Sequence, residues 1–279
     1  MKQETLIEKI EKEITNRTII DKYTFLFRSK YNAEKITKTF LFDKEKYQII
    51  TYPVIPEIII KLREYAEKKW NDGFSTIKYE EEPIKHQIRI YEKLQEIINI
   101  PKIVNYKIKG TYLEDKIILT EIPHDMMNAT EYCKIMPKTL TKIIAEYLSK
   151  MHLSDITYRD PSIYTVMISP TRKIISLNNL IFTQPMEKIE DKARDIMQFL
   201  ISLHYNSKKP IDELTSIFKL NYTKYHNKTY EIKEAMKNII EYDNRKLEMN
   251  PIKEIYHLTT QGFGQYKLLI LKKIIEKTF

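Results

Sequence analysis

Tyr158-Arg159-Asp160-Pro161 is a polar tetrapeptide set between two strongly apolar segments, and its surroundings from Glu146 to Leu200 decide the fold. Upstream, Leu140, Ile143, Ile144, Tyr147, Leu148 and Met151 recur at three- and four-residue steps. That spacing predicts an amphipathic helix running to His152 and delivered into a core. Downstream, Tyr164–Ile168 and Lys173–Leu177 read as two short strands, with Ser169-Pro170-Thr171-Arg172 as the turn between them. After Asn178-Asn179 comes Glu190–Leu200, whose acidic start and apolar finish suit the opening of a buried helix. The order is helix, charged loop, hairpin, helix.

This order resembles the catalytic lobe of the protein-kinase-like fold, whose motif is H-R-D or H-G-D, an Asn five residues later, and D-F-G about eighteen residues after the first Asp. Asp160 stands at the first of these positions, whereas Thr165 replaces the Asn and Asn178-Asn179-Leu180 replaces D-F-G. Glu190-Asp191-Lys192-Ala193-Arg194-Asp195 is similar to the E-D-K-A-x-D of the small kinase of the KEOPS tRNA-modification complex and its RIO-type relatives, which lack a long activation segment. Glu190 follows Asn178 by only twelve positions. The resemblance implies a two-lobed α+β fold, with a small antiparallel sheet in an N-lobe of residues 1–122 and a mainly helical C-lobe of residues 123–279. It also implies that Asp195 is buried and braces the loop backbone near Tyr158-Arg159.

The same resemblance supplies the remaining site. Phe74–Tyr79 reads as the strand carrying a phosphate-reaching lysine, Lys78, although any strand of a basic protein can carry a lysine. Pro83 opens a helix with Ile84, Ile88, Tyr91, Leu94 and Ile98 on one face. Gln87 falls on that face and Glu92 points off it, so the usual lysine–glutamate ion pair is replaced by a neutral contact. Ile100–Val104 and Lys116–Pro123 read as strands, the second entering the hinge between lobes. There the resemblance makes Thr120 the gatekeeper and gives the Glu121 carbonyl to an adenine amine. Pro123, where a ring-binding N–H is normally donated, has none to donate.

The remainder of the chain frames this site. Residues 1–20 read as a short helix, Tyr23–Phe27, Ile36–Phe42 and Tyr47–Tyr52 as strands with Asp43-Lys44-Glu45-Lys46 as one turn, and Ile58–Trp70 as an added helix after Pro56. Ile211–Leu220, Tyr230–Tyr242 and Tyr266–Lys277 are helical in period.

Composition narrows the chemistry. The 279 residues, 42% of them hydrophobic, suffice for one or two ordinary cores. One cysteine, Cys133, excludes an internal disulfide and agrees with a reducing compartment, so the cytosol is expected. No apolar run reaches the eighteen or more residues that cross a bilayer, and the charged start MKQETLIEKIEKEITN does not read as a signal peptide. The four glycines assemble neither G-x-G-x-x-G nor a P-loop, and Gly262-Phe263-Gly264 comes late in the sequence, in the wrong context for a phosphate loop. The six histidines carry no zinc-ligand spacing, and no G-x-S-x-G elbow exists.

A formal charge of +9 favours anionic partners, but acidic and basic residues alternate along most helices, as in Lys61–Lys69, which reads as a solvated surface. ATP and Mg²⁺ are the cofactors the resemblance implies, with Asp160 as proton acceptor and Asn178 as a weak metal ligand that offers a dipole in place of a charge. The absent glycine loop, Gln87, Thr165 and Asn178 together favour a pseudokinase or very weak Ser/Thr kinase acting as a nucleotide- or protein-binding scaffold, with a protein partner expected. A Ser/Thr kinase working through Asp160, or a basic nucleic-acid accessory protein, are the alternatives.

Overall fold

The computed structural model describes residues 5, 8–9, 36–51, 83–103, 117–159, 162–177, 180, 183–185, 188–249, 270 and 272–276. The expected strands Tyr23–Phe27 and Phe74–Tyr79 and the helix Ile58–Trp70 lie outside them. Residues 8–9 and 272–276 are helical, within the two terminal helices expected from the sequence.

Among the described residues the architecture is α+β, with three small antiparallel sheets and a larger share of helix. The first sheet holds β1 (Ile36–Phe42), β2 (Glu45–Thr51), β3 (Lys102–Ile103) and β4 (Ile117–Glu121) in the order β1-β2-β4-β3. Asp43 and Lys44 join β1 to β2 with φ of 46° and 69°. Two successive left-handed residues make the tight turn whose twist matches that of paired strands, so the turn is two residues shorter than the charged run suggests. Of the strand expected over Ile100–Val104, Lys102–Ile103 is observed as strand, Ile100 and Pro101 precede it, and Val104 lies outside the described residues.

Helix α1 (Pro83–Ile97) follows the expected segment closely. Its buried side is carried by His86, Gln87, Ile90, Tyr91 and Leu94, while Ile88 is only half-buried and Glu92 is exposed. The stripe is thus rotated slightly from the one counted from Ile84 and Ile88.

Helices α2 (Ala129–Ile135), α3 (Pro137–Leu153), α4 (Ile189–Ser207), α5 (Ile211–Tyr222) and α6 (Thr229–Met249) enclose the main core. α3 packs against α5 and α4 against α6. Pro137 starts α3 at a position where its missing N–H costs nothing. Asp155, at φ 53°, ends it in the left-handed region, and the Lys192 ammonium meets the Asp155 carboxylate at 2.5 Å. Leu140, Ile143, Ile144, Leu148 and Met151, all counted on the expected stripe, are buried, and Tyr147 is half-buried.

Beyond α3, β6 (Ile156–Thr157) pairs with β9 (Gln184–Pro185), and β7 (Val166–Ser169) pairs with β8 (Ile174–Leu177) as the expected hairpin. β5 (Met127–Asn128) adds to the outer edge of β7. Asp125 holds the hairpin turn, accepting the Ser169 hydroxyl at 2.6 Å and both the hydroxyl and N–H of Thr171. Partial burial works against ionisation of Asp125, and these hydrogen bonds outweigh it to hold its carboxyl below the usual range.

The first expected strand of the hairpin starts late. Ile163–Thr165 is a single 3-10 turn instead, because the Ser162 side chain accepts the Tyr164 N–H and the Ser162 carbonyl accepts both the N–H and the hydroxyl of Thr165. No described helix is long and apolar enough to cross a membrane.

Candidate functional site

The charged loop is gripped from behind by one carboxylate. Asp195 projects from α4 into the interior, fully buried, and accepts the Tyr158 N–H at 2.6 Å on one oxygen and the Arg159 N–H at 2.8 Å on the other. Backbone donors to an ionised acceptor are among the stronger hydrogen bonds of a protein interior. They hold Arg159 at φ 63°, a left-handed conformation that a residue with a Cβ does not adopt without support. The expectation that Asp195 is buried and braces the Tyr158-Arg159 backbone is therefore met.

Asp195 is itself positioned. The Nε2 of buried His152, from the last turn of α3, lies 3.2 Å from it, and the Nδ1 lies 2.8 Å from the Tyr222 hydroxyl on α5. An Nε2–H donating to the carboxylate leaves Nδ1 to accept the phenol proton, which satisfies the whole chain of groups. Burial first, and then the Asp195 carboxylate, push the Tyr222 phenol well above its ordinary range, so it stays a donor. His226 stacks on the Tyr222 ring with centroids 5.3 Å apart. Burial, reinforced by His152, Lys192 and Lys228, pushes the His226 imidazole down to about 4.

The front of the loop is tied to α1. The Thr183 hydroxyl donates to the Tyr158 carbonyl at 3.1 Å, and the Thr183 carbonyl lies 2.8 Å from the Nε2 of buried His86. The Tyr158 phenol turns the other way and donates to the Thr165 hydroxyl at 3.0 Å. One peptide segment is thus held by α4, α1 and the turn before β7.

No family model matches this chain, and no curated protein does. A solved structure titled "WaaP in complex with acyl carrier protein" is similar to it at 14% identity, over 77% of this chain and 85% of that one, with a TM-score of 0.46.

Of the residues singled out in the sequence, Lys78, Asp160 and Asn178 lie outside the described residues. Gln87 is buried on the inner side of α1, and Thr165 is buried at the foot of β7 with its hydroxyl directed to Ser162 and Tyr158. Thr120 is buried in β4. The Glu121 side chain is exposed, and its backbone lies between Tyr47 of β2 and Lys102 of β3. The neighbour of the expected hinge strand is thus β2, carrying Gln48 opposite Thr120.

His86, His152, Thr183, Tyr222 and Gln48 went unread in the sequence. His152 alone left a signal, as a polar residue closing an apolar helix directly before the loop. Among the described residues no group of three His, Cys, Asp or Glu side chains is arranged to hold a metal ion.

Proposed function

We propose that this chain is a protein-kinase-like protein that has become a binding scaffold, with phosphotransfer absent or very slow. The observation that carries the reading is the grip of both Asp195 oxygens on the consecutive N–H groups of Tyr158 and Arg159, directly before Asp160. A solvated aspartate in an ordinary helix has no reason to be buried on a loop's backbone. The β6–β9 pair, which brackets the loop, and the β7–β8 hairpin behind it support the same order of parts.

On this reading residues 1–122 form an N-lobe around the β1–β4 sheet and residues 123–279 a helical C-lobe. Asp160 keeps the charge suited to accept a substrate proton, and Lys78 would reach a phosphate. Against turnover stand Asn178 in place of a metal-binding Asp, Thr165 with its hydroxyl already engaged, Gln87 in place of an ion-pairing Glu, and no glycine loop. ATP with Mg²⁺ is the cofactor an active form would use, and a partner protein is what a scaffold would hold. The kinship with small KEOPS-type and RIO-type kinases rests on E-D-K-A-R-D and the short span to it.

Transfer of radiolabelled phosphate from ATP, to the chain itself and to a generic basic protein, tests the proposal, with Asp160→Ala as control. The expected result is no incorporation above control. Robust incorporation that vanishes in Asp160→Ala would overturn the scaffold reading and make this a working Ser/Thr kinase.

A further inference from the structure

One side chain ties the first sheet to the β7–β8 hairpin, and no motif of the sequence uses it. Gln48, fully buried, stands directly across from Thr120 in the β2–β4 ladder, and residues opposed in register project to the same face of a sheet. From that face its Nε2 donates to the Met167 Sδ at 3.1 Å, and its Oε1 receives the Ser176 hydroxyl in a long contact of 3.5 Å. Met167 and Ser176 are themselves opposed in the β7–β8 register. A single glutamine therefore spans the whole distance from sheet to hairpin. Beside it on the same face, the Thr120 hydroxyl is buried with no hydrogen-bond partner among the described residues.

We infer that Gln48 is a built-in occupant of the slot in which a flat heterocycle such as adenine would lie, and that it excludes a nucleotide from the unmodified chain. The inference rests on the kinase-like reading, which runs an adenine along the Thr120–Glu121 backbone. A ring inserted between two layers must touch both, so it needs the full separation that the Gln48 side chain now fills with direct contacts. The amide cannot share the space. It has to turn away and lose both partners, and binding is weakened by the fraction of molecules in which it has done so. The unpartnered Thr120 hydroxyl marks what the glutamine leaves unfinished, a buried polar group that a ring nitrogen or amine would satisfy. The implied nucleotide and the residues present thus disagree at this slot.

Calorimetric titration with adenosine and with ATP–Mg²⁺ tests this on the full chain, on Gln48→Ala, which empties the slot, and on Gln48→Leu, which keeps its bulk without its hydrogen bonds. ¹³C-methyl labelling of methionine, with the Met167 signal assigned through Met167→Leu, reports where a ligand sits. Gln48→Ala should bind adenosine about tenfold or more tightly than the parent, as expected when the open form is a tenth or less of the population, and should shift the Met167 methyl. Gln48→Leu should stay closed. Equal affinity of parent and Gln48→Ala, binding that leaves the Met167 methyl unmoved, or a folded Gln48→Ala that binds nothing would each overturn the inference. If Gln48→Ala does not fold by circular dichroism, Gln48→Ser takes its place under the same criteria. An Asp195→Ala variant as stable as the parent would tell separately against the braced loop on which the kinase-like reading rests, a site that Gln48 does not touch.

Discussion

Replacing Asp195 by Ala removes the acceptor from three buried groups at once, the N–H of Tyr158, the N–H of Arg159 and the Nε2 of His152. Each buried donor left without a partner costs about 1–3 kcal/mol, so full orphaning of all three would cost roughly 3–9 kcal/mol. Water entering the space of the lost carboxylate, and a small shift of the loop, relieve part of this, leaving an expected loss of about 3–5 kcal/mol. Asp195→Asn keeps the volume, but its amide turns an –NH₂ toward one of the two backbone N–H groups, so about half that loss is expected. Urea unfolding followed by circular dichroism, read at a common slope, measures both. Asp212→Ala, on the exposed first turn of α5, is the control and should stay within about 1 kcal/mol of the parent. If Asp195→Ala unfolded at the same midpoint as Asp212→Ala, the carboxylate would not be holding the loop, and the reading of the loop as a braced site would fall with it.

Three further outcomes are expected. Because His226 is held near 4 against an ordinary 6.5, the unfolded chain takes up a proton that the fold refuses, so stability should fall as pH drops from about 6.5 to about 4. Melting curves of His226→Gln should lose that share of the slope. Phe218→Ala, emptying a buried position whose ring lies 6.1 Å from that of Phe199 and 5.5 Å from that of Tyr222, should cost about 3–5 kcal/mol in urea unfolding. Leu220→Ala, exposed two residues on, should change almost nothing. Thr183→Val, which keeps shape but removes the hydroxyl that donates to the Tyr158 carbonyl, should cost about 1 kcal/mol and speed hydrogen exchange in the 156–159 segment.

The helical parts were legible because their signal is local. The stripe from Leu140 to Met151 and the acidic start of α4 follow from periodicity and the helix dipole, and Leu140, Ile143, Ile144, Leu148 and Met151 are buried as counted. Asp195 was legible only by its place within E-D-K-A-R-D, since nothing in its immediate neighbours says that a carboxylate will turn inward. The hairpin was found but begun two residues early, because Ser162 and Thr165 bond to their own backbone and spend Ile163–Thr165 on a turn. Gln48 could not be seen at all. A glutamine within an alternating strand reads as a solvent-facing residue, and its burial depends on which strands lie beside and beneath it, facts decided far along the chain. Lys78 was read from its side-chain type and lies outside the described residues, whereas Gln48 stands across from Thr120 through a strand register that no local signal carries.

Those sequence distances also order the assembly of the molecule in time. The bonds from Asp195 to the loop close stretches of 36 and 37 residues, within a segment already rich in helix. The tie from Gln48 to Met167 closes 119, and the tie to Ser176 closes 128. Loop entropy grows with such spans, so contacts of that separation are expected to form after the local ones. During synthesis from the N-terminus, β1 and β2 must wait for β4 to emerge, and their buried glutamine must wait longer still for the hairpin. The first sheet's strands are thus made early and its buried glutamine is the part expected to be placed late, and a contact formed after the folding nucleus governs how fast a chain comes apart more than how fast it folds.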